Sequence, residues 1–352
     1  MSEAEVRISY EEMQNTLYRV LTKHGFASGK AQRLATVISQ STLDGINSHG
    51  IERFPELIDM ADRGIVQRDA EPSLVSGKGA FERWDGNHGA GIWNAWQSME
   101  RAIALAKSNV LGAVALRNTN HWLRGGTYGW QAADAGCIAI CFSNTQPNMP
   151  PWGGKDSRTG NNPLVIAMPD SGGHIVLDMS MAQFSYGKIK SYAAKNEKLP
   201  FPGGWDDAGE LTDDPAIIFR NLRPLPIGYW KGSALSIMLD LLVTVLSEGN
   251  STYRIGRQQT EQGWKSSVAP GQKILESDLS QVFIVIDAAQ AGDTGLQEAL
   301  IKEIIDNIHH VDPVKQGQRT YVPGENTLAG RKENLARGIP VDAETWNKVN
   351  AL

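Results

Sequence analysis

The sequence predicts an α/β protein with a helical subdomain formed by its two chain ends. Three observations lead there. The chain has 352 residues, more than one hydrophobic core holds, since single cores stop growing near ~250–300 residues. From about residue 71 onward, short apolar runs of strand length alternate with longer runs of helical periodicity. Before and after that stretch only helical patterns occur. The expected division is a helical part from residues 1–70 plus 325–352 and an α/β part from residues 71–324.

The elements can be justified in order. Ser9 and Glu12 have capping-box spacing ahead of Met13, Leu17, Val20 and Leu21, which recur at helical intervals until Gly25. A second helix over 28–43 turns Leu34, Val37 and Ile38 inward and stops at Gly45. The segment 48–64 opens on Ser48 as a candidate cap, and Pro55 predicts a kink or a late helix start. Strands are expected over 80–86, 111–118 and 137–144, with helices over 90–108 and 128–135 between them. Residues 163–169 and 174–180 read as a strand pair about the turn 170–173. A strongly apolar helix over 230–247, a buried strand over 281–288 and a helix over 296–308 follow. Asp342 is placed to cap the last helix. The proline-rich loop 144–163, with Trp152 inside it, has no periodicity and reads as a stiff, partly buried, functional loop.

Charge and cysteine use narrow the function. Lys and Arg number 34 against 39 Asp and Glu, a net charge of -5. Nucleic-acid and membrane-surface binders carry a basic excess, so neither partner is expected. The N-terminus is polar and acidic, without the pattern of a signal peptide. No apolar run reaches the ~18 residues that span a bilayer, and Asp240 interrupts the longest one, 234–246. Cys137 and Cys141 stand four apart on a strand, roughly 13 Å, beyond disulfide reach. Two unpaired core thiols fit a reducing cytoplasm. No metal site is expected, because neither cysteine has Cys or His partners nearby.

Stock motifs are missing: no G-x-G-x-x-G, no P-loop, no nucleophile elbow and no H-E-x-x-H occurs. Two histidines stand in unusual settings. His49 precedes Arg53 by four residues, and on a helical turn the pair would share a face. A cation beside an imidazole suits a carboxylate held next to a proton-transfer centre. His121 follows an apolar strand and precedes a glycine-rich turn, where α/β sheets place ligands. Both residues also read as structural histidines, and the residues alone leave the two readings open. The turn GYWKGS at 228–233 opens an apolar helix, so free amides and Lys231 form either an anion site or an ordinary cap.

Three segments together, SHGIERFP at 48–55, RNTNHWLRGG at 117–126, and DMS with FSYG and GYWKGS between 178 and 233, resemble the malate/L-lactate dehydrogenase family. The resemblance runs over essentially the whole chain. It implies a non-Rossmann, mixed-sheet α/β fold and interconversion of 2-keto and 2-hydroxy acids with a nicotinamide cofactor. NADH is the expected cofactor, NADPH the alternative. His49 then matches a proton donor and Arg53 a carboxylate-binding residue. Ser48, Asn120, His121 and Trp152 are expected at the substrate. Three stretches are expected at the cofactor: His174, Ile175, Val176, Leu177, Asp178, Met179 and Ser180; Trp230 and Lys231; and Gly324, Glu325 and Asn326. In the third stretch, Glu325 and Asn326 replace a histidine and an acid of related sequences. A homodimer is the family's habit.

Overall fold

The computed structural model describes residues 5–258 and 276–352. β1 (Glu5–Ile8), α1 (Tyr10–Lys23) and α2 (Ser28–Leu43) come first, then two single 3₁₀ turns (Asn47–His49 and Ile51–Arg53) and α3 (Phe54–Asp62). The middle runs β2 (Ser73–Lys78), β3 (Phe81–Asp85), α4 (Gly91–Asn109), β4 (Leu111–Thr119), α5 (Gly126–Asp134), β5 (Cys137–Ser143), β6 (Leu164–Met168) and β7 (Ile175–Met179). Next are α6 (Tyr186–Ala194), the short pair β8 (Gly204–Trp205) and β9 (Leu211–Thr212), α7 (Pro215–Asn221), α8 (Trp230–Ser247) and α9 (Thr252–Gln258). The chain closes with β10 (Leu279–Asp287), α10 (Ala288–Ala291), α11 (Thr294–His309), α12 (Glu325–Arg337), β11 (Ile339–Asp342) and α13 (Ala343–Ala351).

Seven strands form one sheet in the order β2-β3-β4-β10-β5-β6-β7. β3 and β4 run parallel and the other neighbours antiparallel. This mixed order differs from a doubly wound parallel sheet, as the non-Rossmann expectation requires. β10 lies between β4 and β5 and is covered on both faces, by α4 on one side and α8 on the other. Its nearly continuous apolar run is the pattern a strand buried on both faces needs. Cys137 and Cys141 are buried and unpaired on β5.

Local rules explain most helix starts. The Ser9 hydroxyl accepts from the amide of Glu12 at 3.1 Å, and Met13, Leu17, Val20 and Leu21 are fully buried. α3 starts late, with Pro55 in its first turn where the missing N–H costs nothing. Asp342 caps α13 by accepting from Thr345 N at 2.7 Å.

The two chain ends meet through a feature that local patterns do not carry. β1 pairs antiparallel with β11, Glu5 opposite Asp342 and Ile8 opposite Ile339. Ile8, Met13, Leu17 and Leu34 share one core cluster with Ile339, Val341, Trp346 and Val349, and Ile92 and Leu123 of the middle segment join it. Hydropathy also misses β2, which is exposed along its whole length.

α8 departs from its sequence reading in one respect. Among the described residues it is one helix long and apolar enough to cross a membrane by length and composition. Its inner positions Leu239 and Val243 pack on the sheet, and Asp240 is anchored there, accepting from Asn144 Nδ2 and Thr252 N. Its outer positions Met238, Leu241 and Val245 are at least half exposed.

Candidate active site

The 3₁₀ turns after α2 present Ser48, His49 and Arg53 to the sheet. Thr42, in the last turn of α2, accepts the amide of Ile51 at 3.0 Å and so ties the turns to the helix. A side chain on Gly50 would put its Cβ 2.4 Å from that same hydroxyl, so the close approach requires glycine. Facing the turns is the segment after β4. His121 Nδ1 accepts from Leu123 N at 3.0 Å, which leaves the ring proton on Nε2. The rings of His49 and His121 stack with centroids 6.0 Å apart.

A residue with no distinguishing motif around it completes the cluster. Glu276, in the short segment before β10, accepts from Arg53 at 2.6 Å and lies 3.5 Å from His121 Nε2. Its backbone carbonyl accepts the amide of His121 at 3.1 Å. Arg53 also donates to Glu56 at 3.0 Å. The site is therefore a partly buried set of opposed charges around two imidazoles.

Burial decides the protonation states. It pushes His49 below the ordinary histidine value, and the neighbouring Arg53 pushes it further, against Asp178 and Glu276, which pull it up. Burial carries His121 down to about 3, so it is neutral at ordinary pH. Burial alone would raise Glu276, but Arg53, His121 and His49 outweigh it and hold the carboxyl at about 2. Arg53 is raised, first by Glu276. Its charge is permanent.

A second buried network stands behind the first. Asp44, at the end of α2, is paired with Arg124 and takes a two-pronged bond from Arg331 at 2.7 and 2.9 Å. Arg124 Nε lies 3.8 Å from Asp178, whose carboxylate also accepts the amide of Gly126 at 2.8 Å.

The other expected site residues fall into distinct places. Asn120 is buried and spends its amide hydrogens on the carbonyls of His88 and Gly89, at 2.9 and 2.7 Å, so its side chain secures the fold beside the site. Trp152 is half exposed and packs with Trp205 and Tyr229 near the start of α8. His174 pins the turn before β7, accepting from Asp170 N and bonding Asp134. Residues 174–180 and 324–326 lie together: Val176 N donates to Pro323 O, and a Cβ on Gly324 would fall 2.8 Å from the His174 carbonyl. Glu325 is engaged by His309 at 2.8 Å and by Val322 N.

Of the two readings of the turn at 228–233, the amides of Lys231, Gly232 and Ser233 fit the ordinary cap. The amides of Lys231, Gly232 and Ser233 bond the carbonyls of Gly228, Ile227 and Tyr229. What remains there is the lysine charge beside the exposed Trp230 ring. These groups still suit a dinucleotide in kind. Lys231 offers a cation for phosphate, Trp230 a stacking face, and α12 starts without a side-chain cap.

One glycine fixes the spacing between α4 and the His121 segment. A Cβ on Gly91 would fall 2.2 Å from Asn120 O and 2.3 Å from His121 O. Gly91→Ala is therefore expected to destabilise by about 1–3 kcal/mol and to depress activity by moving His121, measured by urea unfolding and steady-state rates.

Comparison with known proteins agrees with this architecture. A family model described as malate/L-lactate dehydrogenase matches residues 8–350. The 2,3-diketo-L-gulonate reductase of Citrobacter koseri is 39% identical over 347 residues, covering 99% of this chain and all of that protein. The sulfolactate dehydrogenase structure from Methanocaldococcus jannaschii superposes with a TM-score of 0.85 at 28% identity, covering 98% of this chain and 95% of that one. The malate dehydrogenase structure from Entamoeba histolytica gives a TM-score of 0.90 at 24% identity, over 99% and 97% of the two chains, a likeness of fold.

Proposed function

The chain belongs to the malate/L-lactate dehydrogenase family and is an oxidoreductase that acts on keto or hydroxy acids, and from that premise we propose that it reduces the C2 ketone of 2,3-diketo-L-gulonate to 3-dehydro-L-gulonate. The observation that carries the reading is the placement of a half-buried imidazole, His49, near the paired guanidinium of Arg53, with the His121 ring stacked on it. The name of the Citrobacter koseri relative supports the choice of substrate.

Arg53 binds the substrate carboxylate with its remaining donors and so orients the adjacent ketone. When bound, the nicotinamide cofactor supplies the hydride to the ketone carbon. His49 gives the proton to the oxygen, and Ser48, whose hydroxyl lies 3.1 Å from His49 Nδ1, steadies the ring. A carboxylate on Arg53 offsets the charge that depresses His49, so substrate binding raises the proton affinity of the donor at the moment it is needed. Segments 174–180 and 324–326, with Trp230 and Lys231, hold the cofactor, with NADH as the reductant and NADPH the alternative. Two lobes, residues 1–70 plus 325–352 and residues 71–324, enclose the site in this reading.

The same machinery serves another 2-keto acid, such as a malate or lactate precursor, since neither Arg53 nor His49 reads the far end of the substrate. NADH and NADPH oxidation, followed by absorbance against a panel of keto acids including 2,3-diketo-L-gulonate, separates the choices. Turnover of none of them overturns the reading. Arg53→Lys, which loses the forked geometry but keeps the charge, is expected to raise KM about tenfold to a hundredfold, with a smaller change in kcat. An unchanged KM would rule out a carboxylate clamp.

The exposed apolar side of α8, with Leu296, Leu300, Ile304 and Ile308 four residues apart on α11, fits a homodimer, and sedimentation showing an active monomer would refute it. The two buried thiols fit a cytoplasmic setting.

A further inference from the structure

We propose that Glu276 is a positioning residue that fixes Arg53 and His121 and balances the pocket charge, so that a keto-acid carboxylate enters together with a proton. The proposal rests on the keto-acid reading above. Glu276 is tied to the site twice, by its backbone carbonyl to the amide of His121 and by its carboxylate to Arg53 and His121. Arg53 has five N–H donors in one plane. Glu56 takes one on one terminal nitrogen and Glu276 one on the other. Two carboxylates so placed set the plane and leave the remaining donors for a ligand.

The charges facing His49 are Arg53 and Arg124 on the positive side and Asp178 and Glu276 on the negative side. Arg124 is already shared with Asp44 and Asp178. The two positive and two negative charges that face His49 offset each other before substrate arrives, and Glu56 adds a further negative charge on the far side of Arg53. A substrate carboxylate adds one negative charge to a partly buried space, and the group able to offset it by taking up a proton is His49. Glu276 therefore opposes carboxylate binding while favouring the protonated donor.

This gives opposite effects that simple structural damage would not. Glu276→Gln keeps the shape and removes the charge. KM for the keto acid is expected to fall, because Arg53 loses a competing carboxylate. At neutral pH kcat is expected to fall about tenfold, the effect of one pKa unit on the donor. Reduction needs protonated His49 and is lost as pH rises through its pKa. In Glu276→Gln that loss should come at lower pH. Glu276→Asp keeps the charge and should restore the pH profile.

The test needs no turnover. Affinity for oxamate, an unreactive mimic of a 2-keto acid, is measured by calorimetry, and the His49 imidazole is titrated by NMR without ligand. Tighter oxamate binding and a His49 titration moved to lower pH in Glu276→Gln, both reversed in Glu276→Asp, support the proposal. An unmoved titration, or oxamate binding no tighter in Glu276→Gln, overturns it. If the wild-type protein binds no oxamate, the keto-acid reading fails, and the titration alone then decides for or against Glu276.

Discussion

Replacing His49 by alanine is expected to lower kcat for keto-acid reduction about a hundredfold to ten-thousandfold and to leave NADH binding and the fold intact. The size of the loss follows from the lack of a substitute. His121 is the nearest imidazole, with its ring centroid 6.0 Å away, but burial holds it neutral down to about pH 3 and its Nδ1 is occupied by an amide. Arg53 is raised and gives up no proton. Glu276, held at about 2, is a carboxylate throughout the working range. The wild-type pH profile carries the same logic. His49 is depressed by burial and by Arg53, so in the free protein it is deprotonated at neutral pH. Reduction should therefore speed up as pH falls, and the reverse oxidation, which needs the neutral ring as acceptor, should speed up as pH rises. Rates with and without the substitution, measured in both directions across pH, check this. Turnover near the wild-type level in His49→Ala would remove the residue from the chemistry.

Much of this site is legible in the sequence because its parts are local. Ser48, His49 and Arg53 fall within six residues, and a helical turn is enough to place them on one side. The apolar helix at Trp230–Ser247 is legible because eighteen residues of one texture leave no alternative. The pieces that stay hidden are made by tertiary contact. β1 and β11 find each other across the whole chain, and a four-residue strand carries too little pattern to announce its partner. Glu276 gains its meaning from Arg53 and His121, distant in sequence and adjacent in space. Asn120 was legible as a polar residue beside His121, but the carbonyls of His88 and Gly89 that claim its amide could not be read from its neighbours. The amides at the start of α8 are spent because Gly228 and Tyr229 both adopt positive φ, +58° and +61°, a bend that hydropathy does not encode.

The largest stability effect is expected at Asp44. Its side chain has no exposed surface, and it is the shared partner of Arg124, itself 5% exposed, and of Arg331. Asp44→Ala removes the shared counter-charge of two guanidiniums, leaving Arg124 with Asp178 at 3.8 Å and Arg331 partly in solvent. Removing one partner of a buried ion pair costs about 3–5 kcal/mol, because the remaining charge stays desolvated. Here two charges lose their closest partner at once, the buried Arg124 more severely than the partly exposed Arg331. The network also joins parts of the chain that no single element joins. Arg331 sits on α12 and stacks over Trp130 of α5 at 4.8 Å. Asn334, one turn on, donates to Leu43 O at the end of α2. Arg124 belongs to the segment that carries His121 and reaches toward Asp178. Urea unfolding of Asp44→Ala should show a clearly lower midpoint, and kcat/KM should fall even where the variant remains folded, since Arg124 and Asp178 lose their alignment beside His49. Removing Arg331 as well should recover part of the stability, because one stranded charge goes with it. An exposed pair provides the contrast. Arg337 and Glu333, 3.1 Å apart on the outside of α12, are both more than half exposed, and Arg337→Ala should change neither midpoint nor activity measurably. Equal effects at the two sites would mean that Asp44 is solvated in the folded protein, and the ends of the chain would then have to be held to the sheet by their apolar core alone.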